Sequence, residues 1–153
     1  MPNEIEHKYL LSGCPDIVLQ NPPVLIEQGW VSRLRLRKKV GSDNRVQYFG
    51  CFKFGRGLIR SEFERRIPPL LFGLLWPLTR GKRVHKLRYA VSVMTPNGER
   101  TWEIDVFLDR TLFLAEIEIP DPFEQVIAPS WLSDKIVREV TEDPRFTNFY
   151  LKK

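Results

Sequence analysis

Glu4-Ile5-Glu6-His7-Lys8, running into Tyr9-Leu10-Leu11, is the stretch that decides the fold of this 153-residue chain. Side chains of a β-strand alternate between two faces, so Glu4, Glu6 and Lys8 share one face and the residues between them share the other. The two carboxylates then stand about 7 Å apart, with an ammonium group just beyond them. Carboxylate oxygens suit Mg²⁺ or Mn²⁺, and the lysine could meet a phosphate that shares the metal. The same pattern is also typical of the solvated face of a half-buried strand, and this stretch alone leaves both interpretations open.

Length and composition indicate one soluble domain spanning residues 1–153. The 24 Lys and Arg residues outnumber the 19 Asp and Glu residues, and the net charge of +5 favours anionic partners without distinguishing their class. Cys14 and Cys51 lack metal-ligand spacing, which predicts ordinary thiols in a reducing, cytoplasmic setting. The N-terminus is charged where a signal peptide would be apolar, and no run approaches the roughly 18 apolar residues of a membrane span. No membrane partner is therefore expected.

Alternating segments separated by turn residues predict seven further strands. They are expected at residues 24–28, 33–37, 46–54, 59–67, 84–94, 100–108 and 112–119. Residues 70–76 lose the alternation and predict a short helix that packs onto the sheet or plugs one end of a barrel. Beyond Pro120 the chain is expected to be helical and irregular. The pattern predicts a mainly β (α+β) protein: an eight-stranded antiparallel β-barrel with a few short helices.

The predicted strands carry charged faces, and on four of them like charges repeat. The repeats are Glu4 and Glu6, Glu62 and Glu64, Glu116 and Glu118, and the basic series Arg33, Arg35 and Arg37. A solvated face would normally mix both signs with Thr, Ser and Gln. Periodicity cannot say which face lies inside, but repeated like charges favour an interior where acids gather cations and bases gather phosphates, in separate halves.

A series of short motifs, in order along almost the whole chain, resembles the CYTH domain, also called the triphosphate tunnel metalloenzyme family. The motifs are Glu4-x-Glu6-x-Lys8; Arg35 and Arg37; Lys53; Arg60, Glu62 and Glu64; Lys86, Arg88 and Tyr89; Trp102 and Asp105; Ala115, Glu116 and Glu118; and Glu139-Val140-Thr141 with Asp143 and Asn148. Each motif alone is weak, whereas their order is specific.

The resemblance implies a barrel whose charged faces line a tunnel for a triphosphate and for Mg²⁺ or Mn²⁺. It implies metal ligation by Glu4, Glu6, Glu116 and Glu118, with Asp105 as a further ligand or a second-shell partner. It implies phosphate binding by Lys8, Arg35, Arg37, Lys53, Arg60, Lys86 and Arg88, and catalytic roles for Lys8, Lys86 and Glu64. Glu62 and Glu64 could orient the bases or reach a second metal. Arg33 is expected to be an exposed surface arginine.

The expected activity is metal-dependent hydrolysis of inorganic tripolyphosphate or a nucleoside triphosphate, a small-molecule substrate rather than a nucleic acid. Thiamine triphosphatase or adenylate cyclase on the same fold, and a non-catalytic binder of polyphosphate or nucleic acid, remain alternatives. The family often has Gly-Tyr where this chain has Gly29-Trp30. An indole is a donor only, so Trp30 cannot replace a tyrosine hydroxyl. The oligomeric state stays open, with a homodimer as one alternative.

Overall fold

Alternating polar and apolar residues form nine strands in the computed structural model, which describes residues 3–55 and 57–152. The strands are β1 (Asn3–Leu11), β2 (Val24–Val31), β3 (Leu34–Val40), β4 (Val46–Phe54), β5 (Ile59–Arg66), β6 (Arg83–Thr95), β7 (Gly98–Phe107), β8 (Phe113–Glu118) and β9 (Ile136–Glu139). The helices are α1 (Pro69–Leu75), α2 (Ser130–Ser133) and α3 (Asn148–Leu151), with 3₁₀ helices at Asp16–Gln20, Trp76–Thr79 and Pro144–Phe146.

Eight of these strands close into an antiparallel barrel. Their order is β5-β4-β3-β2-β6-β7-β8-β1, and the start of β1 pairs with β5, where Glu4 lies opposite Arg60. The predicted eight-stranded antiparallel barrel with few short helices is therefore confirmed. The ninth strand, β9, pairs with the end of β1, where Tyr9 lies opposite Glu139. The expectation of only helical and irregular structure beyond Pro120 missed this strand.

The apolar faces of the strands lie on the outside of the barrel. Other segments cover those of β1, β7 and β8, whereas Phe52, Phe54 and Phe63 on β4 and β5 stay exposed. Trp102, Ile104 and Ile117 form a buried cluster with Val18 of the first 3₁₀ helix and Leu132 of α2. Residues directly opposite in an antiparallel pair share a face, so the charged partners Lys8 and Glu116 point inward together. The charged faces are thus inside, and the interpretation of these charges as a solvated outer surface is wrong.

The helical segment between β5 and β6 packs against the outside of the barrel. The ring of Phe72 in α1 lies 4.7 Å from that of Tyr48 on β4. Thr79, at the end of the following 3₁₀ helix, lies so close to β2 that a Cβ on Gly29 would be 2.6 Å from its own Cβ. The short helix predicted for residues 70–76 is confirmed, and it packs on the sheet rather than inside the barrel.

A second apolar cluster closes one end of the barrel interior. Trp30, Val84, Phe107 and Leu114 project inward there, and Val140 packs against them together with Phe146 and Leu151 from the C-terminal segment. The interior therefore has an apolar end covered by the C-terminal residues and a polar part above it. Within the described part of the chain, the helices are all too short or too polar to cross a membrane.

Candidate active site

The polar part of the barrel interior is a cavity of about 150 Å³ lined mainly by charged side chains. The predicted site residues that line it are Glu4, Glu6, Lys8, Arg35, Arg37, Lys53, Arg60, Arg88 and Glu116. They come from six strands, β1, β3, β4, β5, β6 and β8, so closure of the barrel brings together residues that are far apart in sequence. A small volume lined by both signs of charge is suited to a compact, highly charged ligand.

Two acids lie near each other on β1 and β8, where Glu6 is opposite Glu118 and Glu116 is opposite Lys8. Glu6 is only 6% exposed, and its carboxylate makes no hydrogen bond or ion pair among residues 3–55 and 57–152. Burial, with the neighbouring Glu116, raises the pKa of Glu6 to about 8. Burial also acts to raise the pKa of Glu116, but Lys8 and Arg88 outweigh it and hold that pKa well below its usual range. Nitrogens of both cations lie 3.4 Å from the Glu116 carboxylate.

The basic side of the cavity is built on β3. Arg35 donates to Glu64 at 3.1 Å, but its buried Nε has no hydrogen-bond partner within residues 3–55 and 57–152. Arg37 donates through Nε to the buried side chain of Gln28 at 2.8 Å. Burial, with the nearby guanidinium groups of Arg35 and Arg88, lowers the pKa of Arg37 to about 9. The clustered cations and the unsatisfied donor make this side of the cavity a place for an anion.

Further charged residues lie towards the mouth. Lys53 Nζ lies 2.9 Å from Glu4 Oε2, and Arg60 donates to the carbonyl oxygen of Gly57 at 3.0 Å. A shallower acidic depression adjoins them and is lined by Asn3, Glu4, Glu62, Glu64 and Glu118. Glu118 is largely exposed. The buried part of its carboxyl and, as a smaller effect, the negative charge of the neighbouring Glu4 raise its pKa. Glu64 and Glu118 therefore belong to the rim rather than to the enclosed cavity.

Two predicted site residues, Lys86 and Asp105, lie behind the cavity wall. Both are fully buried, and neither lines the cavity. Lys86 Nζ donates to Asp105 at 2.6 Å and to Asn148 at 3.2 Å, while Arg88 contacts both oxygens of Asp105 at 2.8 and 2.9 Å. Burial outweighs Asp105 and lowers the pKa of Lys86 to about 8. Because Lys86 and Arg88 occupy both Asp105 oxygens, these contacts suit a residue that holds the two cations in place better than one that ligates a metal ion.

The acids and bases are interleaved, which corrects the expectation of separate halves. Lys8 pairs with Glu116 at 3.4 Å, Lys53 with Glu4 at 2.9 Å and Arg35 with Glu64 at 3.1 Å. The reason is the strand register, which places Lys8 opposite Glu116 and Lys53 opposite Glu62. Most of the buried charges thereby gain a partner of opposite sign, whereas Glu6 and Arg37 form no ion pair among the described residues.

Several lining residues were not predicted for the site. They are Trp30, Arg33, Cys51, Glu103, Thr147, Asn148 and Phe149, while Glu62, which was expected to orient the bases or reach a second metal, also lines the cavity. Arg33 is exposed, as expected, but it also borders the cavity. Cys51 donates through Sγ to Glu62 at 3.4 Å, and burial raises the pKa of its thiol to about 11. Strand alternation could have placed Trp30 and Cys51 on the inner face, since they flank Arg35 in the register.

Comparisons with known proteins find close relatives over the whole chain. The chain is 36% identical over 155 residues to an inorganic triphosphatase of Nitrosomonas europaea, covering 95% of this chain and 93% of that protein. It is 33% identical over 159 residues to an inorganic triphosphatase of Acetivibrio thermocellus, covering 100% and 95%. No family model matches the chain.

Solved structures agree with these relatives. The crystal structure of the inorganic triphosphatase NE1496 is similar with a TM-score of 0.62 and 34% identity, over 99% of this chain and 95% of that one. A Pyrococcus horikoshii protein, PH1819, matches 77% of this chain and 78% of its own with a TM-score of 0.53. At 17% identity, that second likeness supports the fold alone.

Proposed function

This chain belongs to the CYTH, or triphosphate tunnel metalloenzyme, family, and we propose that it hydrolyses inorganic tripolyphosphate or a nucleoside triphosphate inside its barrel with Mg²⁺ or Mn²⁺. The observation that carries this proposal is the charged cavity. In it Glu6, which has no ion-pair partner among residues 3–55 and 57–152, lies near Glu116, and the donors of Arg35 and Arg37 lie on β3. The two curated relatives are inorganic triphosphatases, which supports the same reaction for this chain.

The acidic residues fit a hard divalent cation. Glu6 has no ion-pair partner among the described residues, and its raised pKa reflects burial and the neighbouring Glu116, which outweigh the more distant charges of Lys53 and Lys8. Glu116 lies beside it, while Glu4 and Glu118 extend the carboxylate set towards the mouth. These oxygen donors are the type that Mg²⁺ and Mn²⁺ prefer, and a metal held there supplies charge neutralisation and acidifies bound water.

The basic residues would bind the phosphates. Arg35, Arg37 and Arg88 offer planar guanidinium groups that can make bidentate contacts, whereas Lys53 and Arg60 add charge nearer the mouth. A triphosphate carries about four negative charges, and phosphoryl transfer depends mainly on positioning and charge stabilisation. The residues of this cavity supply both without a P-loop.

The three predicted catalytic residues differ in their access to a substrate. Lys8 lines the cavity and can touch a phosphate while it holds Glu116. Lys86 lies behind the wall, so we assign it to positioning Asp105 and Asn148. Glu64 orients Arg35 from the rim. Trp30, which packs edge-on against Phe149 at 6.1 Å, offers no hydroxyl for proton transfer.

Phosphate release from tripolyphosphate, with either Mg²⁺ or Mn²⁺, tests the proposal. We expect metal-dependent release that stops with EDTA, that is lost in Arg35→Gln and that persists in the matched surface variant Arg45→Gln. Absence of metal-dependent release from tripolyphosphate, ATP and thiamine triphosphate would contradict it. With ATP, cyclic AMP plus pyrophosphate would instead identify a cyclase. If the wild type binds tripolyphosphate without hydrolysing it, and this binding survives Glu116→Gln, the protein is a non-catalytic polyphosphate binder.

A further inference from the structure

The helical segment 69–79 exposes a stripe of leucines on the outside of the barrel. Leu70 is 76% exposed, Leu74 is 67% exposed and Leu78, in the adjoining 3₁₀ helix, is 59% exposed. The opposite side of the segment packs on the barrel through Phe72, whose ring lies 4.7 Å from that of Tyr48 on β4. A helix that is apolar on every side is normally buried on every side. The leucine stripe (Leu70, Leu74 and Leu78) therefore indicates a contact surface for an apolar partner.

The segment is fixed against the barrel, so the leucines cannot turn inward. Thr79 is fully buried against Gly29, and Arg83 donates to Thr79 Oγ1 at 2.8 Å and to the carbonyl oxygen of Trp76 at 3.0 Å. The Arg83 guanidinium also stacks over the Trp76 ring at 4.3 Å. These contacts leave the outward stripe as a preformed surface.

Positive charges border the leucine stripe along the chain. Arg65 and Arg66 precede the segment and Arg80 and Lys82 follow it, and all four are exposed. The sequence from residue 65 to residue 98 contains no Asp or Glu. On the outer face of β2, Glu27 lies two residues before Gly29. Its carboxylate is engaged by Lys38 at 3.9 Å and by His85 at 3.4 Å. The border of the stripe is thus cationic.

The positive charge of this border distinguishes between two apolar partners, a second copy of the chain and a phospholipid membrane. In a symmetric dimer formed through the stripe, the basic residues of one copy would face those of the other, and like charges placed together oppose association. An anionic phospholipid surface offers apolar depth for the leucines and negative headgroups for the flanking cations. The charge pattern therefore favours the membrane surface.

We propose that segment 69–79 is a docking site for an anionic phospholipid membrane, with Leu70 and Leu74 inserted at headgroup depth. α1 has seven residues, which is too few to span a bilayer, so the proposed docking places α1 on the membrane surface. The sequence-based expectation of no membrane partner considered spanning segments alone. This docking is independent of the proposed hydrolysis, because the leucines lie outside the barrel.

Flotation of the full-length protein with vesicles tests the proposal. We expect binding to phosphatidylcholine vesicles that contain phosphatidylglycerol, weak binding to phosphatidylcholine alone, and a decrease with added salt. The double variant Leu70→Gln/Leu74→Gln should bind at least about tenfold more weakly. The matched control Leu19→Gln/Met94→Gln alters two other exposed apolar residues, 58% and 74% exposed, and should bind like the wild type.

Three outcomes would overturn the proposal. The first is absence of binding to anionic vesicles. The second is binding that persists in Leu70→Gln/Leu74→Gln but is displaced by tripolyphosphate, which would place the headgroup in the cavity. The third is a dimer in sedimentation that dissociates in the same variant, which would make a second copy the partner. Tripolyphosphate hydrolysis without vesicles should be unchanged in Leu70→Gln/Leu74→Gln, so failure of docking and failure of the proposed hydrolysis are distinguishable.

Discussion

Replacing Glu6 with glutamine tests whether the metal-free barrel contains an uncompensated buried carboxyl. The pKa of Glu6 is about 8 in the folded protein, against its ordinary 4.5. Between these values the folded chain keeps a proton that the unfolded chain has released, so stability falls as pH rises. At 1.36 kcal/mol per pH unit, the full difference corresponds to roughly 5 kcal/mol, and about half of it is lost between pH 5 and pH 7.

Glutamine has nearly the shape of glutamate but does not ionise, so Glu6→Gln should lack this loss. Urea unfolding in EDTA at pH 5, 6 and 7 measures it as the difference in the free energy of unfolding between wild type and variant. That difference should shift by about 2–3 kcal/mol in favour of the variant across the range. The exposed control Glu99→Gln should follow the wild type.

Parallel curves for the wild type and Glu6→Gln would refute the reasoning, since Glu6 would then titrate like a solvated carboxylate. Addition of Mg²⁺ or Mn²⁺ at pH 7 extends the test. The wild type should gain stability, because the cation supplies the missing positive charge and binds the folded state alone. Glu6→Gln should gain much less.

Three further substitutions test other contacts by denaturation. Gln28→Ala removes the acceptor of Arg37 Nε inside the barrel and should cost about 1–3 kcal/mol of unfolding free energy; an unchanged urea midpoint would show that Arg37 is satisfied elsewhere. Lys86 has a folded pKa of about 8 against its ordinary 10.5, so the folded chain binds fewer protons in that window and wild-type stability should gain a contribution as pH rises. Lys86→Met should lack that contribution, and identical pH profiles would contradict the assignment. Gly29→Ala places a Cβ 2.6 Å from that of Thr79 and should cost about 1–3 kcal/mol by overpacking, seen as a lower Tm. An unchanged Tm would mean that the 3₁₀ helix at Trp76–Thr79 is loosely held.

Alternation in the sequence predicts most of the barrel because each strand separates charged from apolar residues with a period of two. The repeated like charges of Glu116 and Glu118, or of Arg35 and Arg37, further indicate that the charged face is internal. The register between strands cannot be predicted from this alternation. That β1 pairs first with β5 and then with β8, so that Lys8 faces Glu116, depends on closure of the whole sheet.

Depth along the barrel is likewise beyond what alternation can predict. Lys86 and Arg88 share a face, yet only Arg88 reaches the cavity, because Asn148 from the C-terminal segment covers Lys86. β9 was missed because its four residues are too few to show a period. Its position depends on long-range hydrogen bonds near β1, such as that from the Val140 amide to the Lys8 carbonyl at 2.8 Å.

The proposed hydrolysis requires a metal ion and a triphosphate to meet inside the charged barrel. Anomalous diffraction from crystals grown with Mn²⁺ and a non-hydrolysable triphosphate analogue measures this directly. We expect a manganese peak beside the carboxylates of Glu6 and Glu116, with phosphorus density continuing towards Arg35 and Arg37. Manganese and phosphate density confined to the outer surface, with the cavity free of both, would contradict the account.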